Sequence, residues 1–198
     1  MKNKKTIGFA ILCVAFAVFF VFYQRSKNAE KELMREYWGY IYTAEQAMSE
    51  KAKDLDISAK LIDAVLNDAQ KKNFDYNTSK YVFENNEALE PKEALDNLFD
   101  TAFFVKRIRT LQEALMDLDS AQASLKGIAV EDLPDDLQHF HSLYLQLVDV
   151  YHKYLGIVVE ANFNFDDYSN QYEELSSQKE ELLQQVEREI KTFNPNMK

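Results

Sequence analysis

The chain has 198 residues, and its 33 acidic residues outnumber the 23 basic ones to give a net charge of −10. Binding to nucleic acid or to an anionic lipid surface requires a protein to neutralise phosphates. A surface this acidic repels phosphates, which excludes both kinds of binding. Only four glycines, three prolines and one cysteine occur, which excludes a glycine-rich phosphate loop, a many-stranded sheet and an internal disulfide framework.

The first predicted element is a transmembrane helix at residues 6–23. This uncharged segment follows the basic tail 1–5 and is followed by Arg25 and Lys27. A helix of this length reaches about 27 Å at 1.5 Å per residue, close to the thickness of the hydrocarbon core of a bilayer. The apolar sequence continues past Ala15-Phe16-Ala17, which argues against cleavage there by a signal peptidase. We therefore expect a permanent signal anchor.

The lysines of the amino-terminal tail predict the orientation of this anchor. Lys2, Lys4 and Lys5 resist translocation, so the positive-inside rule leaves the N-terminus in the cytoplasm. Residues 24–198 are then expected outside the cytoplasm, where they carry 20 basic against 33 acidic residues. Both a periplasm and a Gram-positive exterior are compatible with this orientation.

Residues 24–198 are predicted to form an all-α domain. Apolar residues recur at alternating steps of three and four, which is typical of helices that bury one face. This period predicts four long helices, at about 27–72, 91–126, 133–163 and 167–193. Pro91 and Pro134 fit the first turns of the second and third helices, and Gly127 fits a C-terminal cap. Short links between long amphipathic segments favour an antiparallel four-helix bundle with coiled-coil-like helices.

Three stretches are less regular than the four helices. Between Asp54 and Ser58 the side chains compete for backbone hydrogen bonds, so both a continuous first helix and one broken there are open. The polar residues 176–181, in the middle of the last helix, are predicted to protrude or fray. Residues 73–79 predict a loop, and residues 80–88 predict a short helix before Pro91.

The three histidines are the strongest candidates for metal chemistry, and all lie in the third predicted helix. His139 and His152 follow Asp136 and Asp149 by three residues, a spacing that places a carboxylate and an imidazole on one helix face. The two pairs are 13 residues apart, or about 20 Å along a helix, too far to share a metal ion. We expect these histidines and His141 to be solvated or at the rim of the buried face, with no metal site and no cofactor.

The sequence also favours a protein without catalytic activity. The only cysteine, Cys13, lies in the predicted anchor, and no serine stands in a Gly-x-Ser-x-Gly elbow. Acid pairs such as Glu173-Glu174 and Glu180-Glu181 lie in polar helix surface, whereas paired catalytic carboxylates need a desolvated cleft. We therefore expect no enzyme.

Aromatic residues are numerous, with 11 tyrosines, 14 phenylalanines and one tryptophan. Because tyrosines recur on the buried seam, most are expected to fill the core with their hydroxyl groups at its edge. A second interpretation is a pocket between helices for a small apolar or aromatic molecule. Its predicted lining is Tyr37, Trp38, Tyr40, Tyr144, Tyr151 and Tyr154.

Two functions are compatible with these features. The first is a membrane-anchored extracytoplasmic interaction or scaffold protein of a bacterial cell envelope. Such a protein contacts the membrane through residues 6–23 and uses helix faces, or the polar segment 164–182, to bind an envelope protein or a second copy of itself. The alternative is a helical bundle that binds a small apolar or aromatic ligand between its helices. Neither function involves nucleic acid.

Overall fold

The computed structural model describes residues 28–73, 75–160 and 167–193, and these residues are mainly α-helical. The prediction of an all-α helical bundle is therefore confirmed. In chain order the elements are α1 (Asn28–Lys71), α2 (Ser79–Val82), β1 (Phe83–Glu84), β2 (Glu87–Ala88), α3 (Pro91–Phe99), α4 (Ala102–Lys126), a 3₁₀ helix (Val130–Asp132), α5 (Asp135–Val159) and α6 (Tyr168–Phe193).

Part of the sequence prediction falls outside these ranges. The predicted tail 1–5, the predicted anchor 6–23 and the predicted end of the third helix at 161–163 lie outside the described residues. Among the helices that the structure does describe, none is both long enough and apolar enough to cross a bilayer.

The described residues form two compact units. Unit 1 comprises residues 28–50, 116–152 and 177–193, and it therefore takes segments from α1, α4, α5 and α6. Unit 2 comprises residues 51–115, 153–160 and 167–176, which include the short elements α2, β1, β2 and α3.

The helix α1 is continuous through Asp54–Ser58, where the sequence left a break open. Ser58 does compete for a backbone hydrogen bond, but its hydroxyl donates to the carbonyl oxygen of Asp54, four residues earlier, at 2.7 Å. A serine that bonds back by one turn leaves the helical backbone intact. Leu55 and Ala59 are buried on either side of it and hold the segment in place.

The segment predicted as one helix over 91–126 is divided by Asp100 and Thr101 into α3 and α4. The hydroxyl oxygen of Thr101 accepts the backbone N–H of Phe104 at 3.3 Å, so Thr101 acts as the N-cap of α4. The rings of Phe99 and Phe104 meet edge to face across the break, with centroids 5.0 Å apart. Apolar residues keep the same helical spacing before and after this break, so the sequence pattern does not reveal it.

The predicted short helix over 80–88 is instead one helical turn followed by a two-residue hairpin. β1 and β2 pair antiparallel, with Phe83 opposite Ala88, and Asn85 and Asn86 form the turn. Their φ angles are 52° and 67°, the left-handed values that asparagine tolerates and that a tight hairpin turn requires. The Asn85-Asn86 pair was the sequence signal for this hairpin.

The polar middle of the last helix neither protrudes nor frays, contrary to the sequence prediction. α6 runs without interruption through residues 176–181, and Lys179 in this stretch is buried. The ammonium group of Lys179 lies 5.8 Å from the centroid of the Tyr151 ring. Its long aliphatic stem therefore packs in unit 1 while its charge faces an aromatic ring, which a hydropathy pattern does not reveal.

In unit 1, α5 runs antiparallel to both α4 and α6. His152 and Asp149 of α5 contact Asp119 and Gln122 of α4, so residue numbers rise on one helix as they fall on the other. His139 of α5 meets Glu189 of α6, and Tyr151 meets Lys179, in the same opposed order. The buried side chains beneath these contacts include Leu118, Leu125, Leu137, Leu147, Val186 and Ile190.

The helix α1 runs parallel to α5 in unit 1. The rings of Trp38 and Phe140 have centroids 6.1 Å apart, and one turn further along both helices the Tyr144 hydroxyl donates to the Ile41 carbonyl oxygen at 3.1 Å. Direction thus alternates along the chain within this unit.

Candidate functional site

The six aromatic residues of the predicted pocket are distributed over both units. Tyr37, Trp38, Tyr144 and Tyr151 are buried in unit 1, and Tyr40 of the same unit is half-buried. Tyr154 is buried in unit 2. The structure therefore offers two aromatic groups to consider, each by itself.

In unit 1, aromatic side chains of α1 and α5 form a packed group that we call the aromatic cluster, composed of Tyr37, Trp38, Phe140, His141 and Tyr144. The ring centroids of Tyr37 and Trp38 are 5.3 Å apart, and those of Tyr37 and His141 are 5.6 Å apart. Phe140 stacks on Tyr144 at 5.6 Å. These separations are typical of direct ring contact, so the rings fill the space between the two helices.

Three polar atoms of the aromatic cluster are buried without a hydrogen-bond partner among the residues that the structure describes: the Tyr37 hydroxyl oxygen, Trp38 Nε1 and His141 Nδ1. A buried polar atom without a partner costs about 1–3 kcal/mol, because it loses its hydrogen bond to water. Most buried polar groups in proteins are therefore paired. Three such atoms in one cluster mark this part of unit 1 as unusual for a core that serves stability alone.

Glu45 lies on α1 in the same unit, and it is buried, with 6% of its surface exposed. Burial raises the pKa of its carboxyl group to about 7, because an apolar surrounding disfavours the charged form. Burial is also the main cause that raises the pKa of the Tyr144 phenol, and the nearby charge of Glu45 raises it further. Sequence reasoning missed Glu45, because a single glutamate in an amphipathic helix is ordinarily exposed.

The histidines of α5 do not come together at a metal site. His139 contacts Glu189 at 3.2 Å and His152 contacts Asp119 at 2.6 Å, so each imidazole has an acidic partner on a neighbouring helix. Within the described ranges, no group of three or more His, Cys, Asp or Glu residues is placed to hold a metal ion.

One of the three histidines contradicts the prediction that all are solvated or at the rim. His141 has 1% of its surface exposed, and burial lowers the pKa of its imidazole. It is buried because it follows the core residue Phe140 and faces the Tyr37 ring of α1. The buried face of α5 is thus wider than the positions of its aliphatic residues and tyrosines indicate.

In unit 2, the tyrosines of α5 and α6 form a second group, the tyrosine cluster of Tyr154, Tyr168 and Tyr172. Tyr172 stacks on Tyr154 at 6.1 Å and on Tyr168 at 6.5 Å between centroids. The Tyr154 hydroxyl donates to Asp56 at 3.3 Å, and the Tyr168 hydroxyl donates to the Ala59 carbonyl oxygen at 3.5 Å. The buried hydroxyl groups of this cluster therefore have acceptors on α1.

Unit 1 also carries an open groove with a volume of about 500 Å³. The groove lies over α5, between the end of α4 and the middle of α6. Its lining consists of Lys126 from α4, Leu145, Gln146, Asp149 and Val150 from α5, and Gln178, Glu181, Leu182 and Gln185 from α6. Leu145 and Leu182 are only half-buried there. Sequence reasoning missed this groove. Leu145 was a signal for it, because it directly follows Tyr144 and so falls outside the spacing of three and four that marks the buried seam.

Comparison with known proteins identifies no relative of this chain. No protein-family model, curated protein or solved structure matches the chain. Any function must therefore be argued from the chain's own residues.

Proposed function

We propose that this chain is a non-catalytic interaction or scaffold protein of a bacterial cell envelope, anchored in the cytoplasmic membrane by residues 6–23. Residues 24–198 then lie outside the cytoplasm and bind another envelope protein. The proposal includes the finer architecture, an antiparallel four-helix bundle with long helices, for which the alternating helix directions in unit 1 give support.

The observation that carries the proposal is the open groove of unit 1. Surface that combines partly exposed leucines with a polar rim is typical of protein interaction sites. Leu145 and Leu182 are such leucines, and glutamine and acidic side chains surround them. A groove that lies along one helix, between two others, suits a macromolecular partner better than a small molecule, which proteins usually enclose.

A second surface feature, in unit 2, also favours an interaction protein. Phe103 is 56% exposed, and the guanidinium carbon of Arg107 lies 4.3 Å from the centroid of its ring. Arg107 in turn contacts Asp54 of α1 at 3.5 Å, and Ile57, one turn after Asp54, is 38% exposed. Aromatic and arginine side chains are the residues that most often dominate binding energy at protein interfaces.

The anchor is tested first, by extracting membranes with alkaline carbonate and by adding protease to spheroplasts. The full chain should stay with the membrane pellet, and protease should digest residues 24–198 without lysis. As a matched control, a variant with Phe16, Val18 and Phe20 replaced by aspartate should appear in the soluble fraction. A parent chain that is soluble, or that protease reaches only after lysis, would contradict the proposed location.

The partner is tested by photocrosslinking in cells, with a photoreactive amino acid at Asn170 or Ser177 of the full chain. Both positions are exposed on α6, in unit 2 and unit 1 respectively. A discrete adduct of one size, formed in the parent and absent from the soluble triple-aspartate variant, supports a membrane-proximal partner. Adducts that are identical in both chains, or that are lacking at both positions, count against the scaffold function.

The alternative function, a bundle that binds a small apolar or aromatic molecule, rests on the unpaired polar atoms of the aromatic cluster. Indole and p-cresol are suitable probes, because each combines an aromatic ring with one polar group. A probe that binds there should raise the melting temperature and change the fluorescence of Trp38, the only tryptophan. Tyr37→Phe should weaken this effect, whereas Tyr172→Phe in unit 2 should not. If neither probe changes the melting temperature or the Trp38 fluorescence, this alternative is rejected.

A further inference from the structure

The geometry points to the partner class: the groove over α5 binds a basic amphipathic helix of another envelope protein. This inference rests on the proposed function and specifies the site and the chemistry of the partner. The groove lies entirely in unit 1, since every residue that lines it comes from 116–152 or 177–193.

The shape of the groove argues for a helical occupant. α5 forms the floor, α6 runs antiparallel to it along one side, and Lys126, the last residue of α4, lies at one end. On α6 the lining residues Gln178, Glu181, Leu182 and Gln185 follow the spacing of one helix face, so they extend about 10 Å along its axis. A partner helix that lies along α5 and α6 places its side chains between theirs over two turns. The groove offers no free strand edge, so an extended peptide would leave its own backbone groups unpaired there.

The floor of the groove selects apolar side chains of moderate size. Leu145 and Leu182 are half-buried, and Val150 beside them is buried. A volume of about 500 Å³ accommodates only a few side chains. We therefore expect apolar residues at spacings of i, i+3 or i+4, and i+7 on the bound helix, as in other helices that bind in grooves.

Charge decides between the possible helical partners. Asp149 of α5 and Glu181 of α6 line the groove, and the exposed Glu180 lies next to Glu181. Among the described residues that line it, Lys126 is the single basic one. Asp149 also contacts Gln122, so its carboxylate is held in position. An acidic lining repels a second copy of this chain, whose residues 24–198 carry 33 acidic against 20 basic residues. A helix with lysine or arginine beside its apolar stripe is complementary to the groove in both shape and charge.

The test uses two synthetic peptides of the same length and leucine spacing, one with lysine and one with glutamate at the polar positions. Binding to the full chain in mild detergent is measured by fluorescence anisotropy at two salt concentrations. The basic peptide should bind, and the acidic peptide should bind at least about tenfold more weakly. Equal binding of the two peptides, or no binding of the basic one, overturns the inference.

Matched charge reversals locate the binding site. Glu181→Lys in the groove and Glu36→Lys on α1 both change an exposed glutamate of unit 1 by the same charge. Glu181→Lys should weaken binding of the basic peptide about tenfold, and Glu36→Lys should weaken it less than about twofold. Equal losses would show that the acidic body attracts any basic peptide, and this result also overturns the inference. Both side chains are exposed, so neither replacement should prevent folding.

A separate measurement distinguishes failure of this inference from failure of the proposed function. Photocrosslinking in cells is repeated from Gln146, which is exposed on the floor of the groove, and from Asn170 in unit 2. An adduct from Gln146 that Glu181→Lys abolishes and Glu36→Lys preserves supports a partner in the groove. An adduct from Asn170 alone leaves a scaffold function that uses another surface and rejects the groove. No adduct from either position rejects both.

Discussion

The aromatic groups of the two units differ in what their buried polar atoms contact. In unit 2 the hydroxyl groups of Tyr154 and Tyr168 donate to Asp56 and to the Ala59 carbonyl oxygen. In unit 1 the Tyr37 hydroxyl oxygen, Trp38 Nε1 and His141 Nδ1 have no hydrogen-bond partner within the described ranges of the chain. Both groups pack against the same helix, α1, so the difference arises from the acceptors that α1 presents to each.

This comparison shows that buried aromatic residues of similar composition contribute differently to stability. Where α1 offers Asp56, a tyrosine hydroxyl exchanges its bond to water for a bond within the protein, at little net cost. Near Tyr144, α1 carries instead the buried Glu45, and burial raises the pKa of that carboxyl group. The aromatic cluster of unit 1 therefore carries buried polar atoms whose energetic cost the tyrosine cluster of unit 2 avoids, and substitutions in both units measure that cost.

The largest effect is expected for Glu45→Gln, because it removes a charge from the interior of unit 1. The pKa of Glu45 rises from 4.5 to about 7 on folding, so the folded state holds the proton more tightly. The stability that this proton provides is full below pH 4.5 and is lost as the pH rises towards 7. Relative to the parent, the free energy of unfolding of the variant should therefore increase by about 3 kcal/mol between pH 4 and pH 8.

Urea unfolding of the full chain in mild detergent, followed by the fluorescence of Trp38 in unit 1, measures this difference. Glu36→Gln is the matched control, because Glu36 lies on the same helix and is exposed. Burial also lowers the pKa of the His141 imidazole, but His141 is present in every variant, so its contribution cancels in the comparison. An equal pH dependence in both glutamine variants would contradict burial of the Glu45 carboxyl group.

The next largest effect is a difference in sign between two tyrosines of the aromatic cluster. Tyr37→Phe removes a hydroxyl that has no partner, so the free energy of unfolding should rise by about 1 kcal/mol. Tyr144→Phe removes a hydroxyl that donates to the Ile41 carbonyl oxygen, so it should fall by about 1 kcal/mol. Both are read from Trp38 fluorescence in urea. Losses of the same size in both variants would mean that the Tyr37 hydroxyl is paired.

Much of the helical architecture was accessible from the sequence, because its apolar period is regular. The first predicted helix, 27–72, differs from α1 by one residue at each end. The break at Asp100 and Thr101 was missed because the apolar stripe continues in phase across it. A single side-chain cap separates α3 from α4. Threonine occurs so often in other roles that its presence in a sequence does not identify a cap.

The candidate site was predictable only in part. The sequence identified six residues as core filler or ligand-lining residues, and all are buried except the half-buried Tyr40: Tyr37, Trp38, Tyr40, Tyr144, Tyr151 and Tyr154. It did not indicate which hydroxyl groups have acceptors. That outcome depends on which residue of one helix lies opposite which residue of another, and a pattern within one helix does not contain this information.

A smaller effect is expected in unit 2, where the hydroxyl groups are paired. Tyr154→Phe should lower the free energy of unfolding by up to about 1 kcal/mol, because the bond to Asp56 at 3.3 Å is lost. Tyr168→Phe should lower it less, since its bond to the Ala59 carbonyl oxygen is 3.5 Å long. Hydrogen exchange of α1 amides after Lys51 follows unit 2 directly. A gain in protection in either variant would remove the contrast between the two clusters.

The smallest effect is expected for the ion pair of His139 and Glu189, which joins α5 to α6 at the surface of unit 1. The side chain of His139 is 74% exposed, so water and salt screen the interaction and the coupling should not exceed about 0.5 kcal/mol. A double-mutant cycle with His139→Gln and Glu189→Gln measures this coupling free energy, again from Trp38 fluorescence. The comparison attributes the energetic cost in unit 1 to its buried polar atoms. A coupling of about 2 kcal/mol or more would show that a surface ion pair affects stability more than they do.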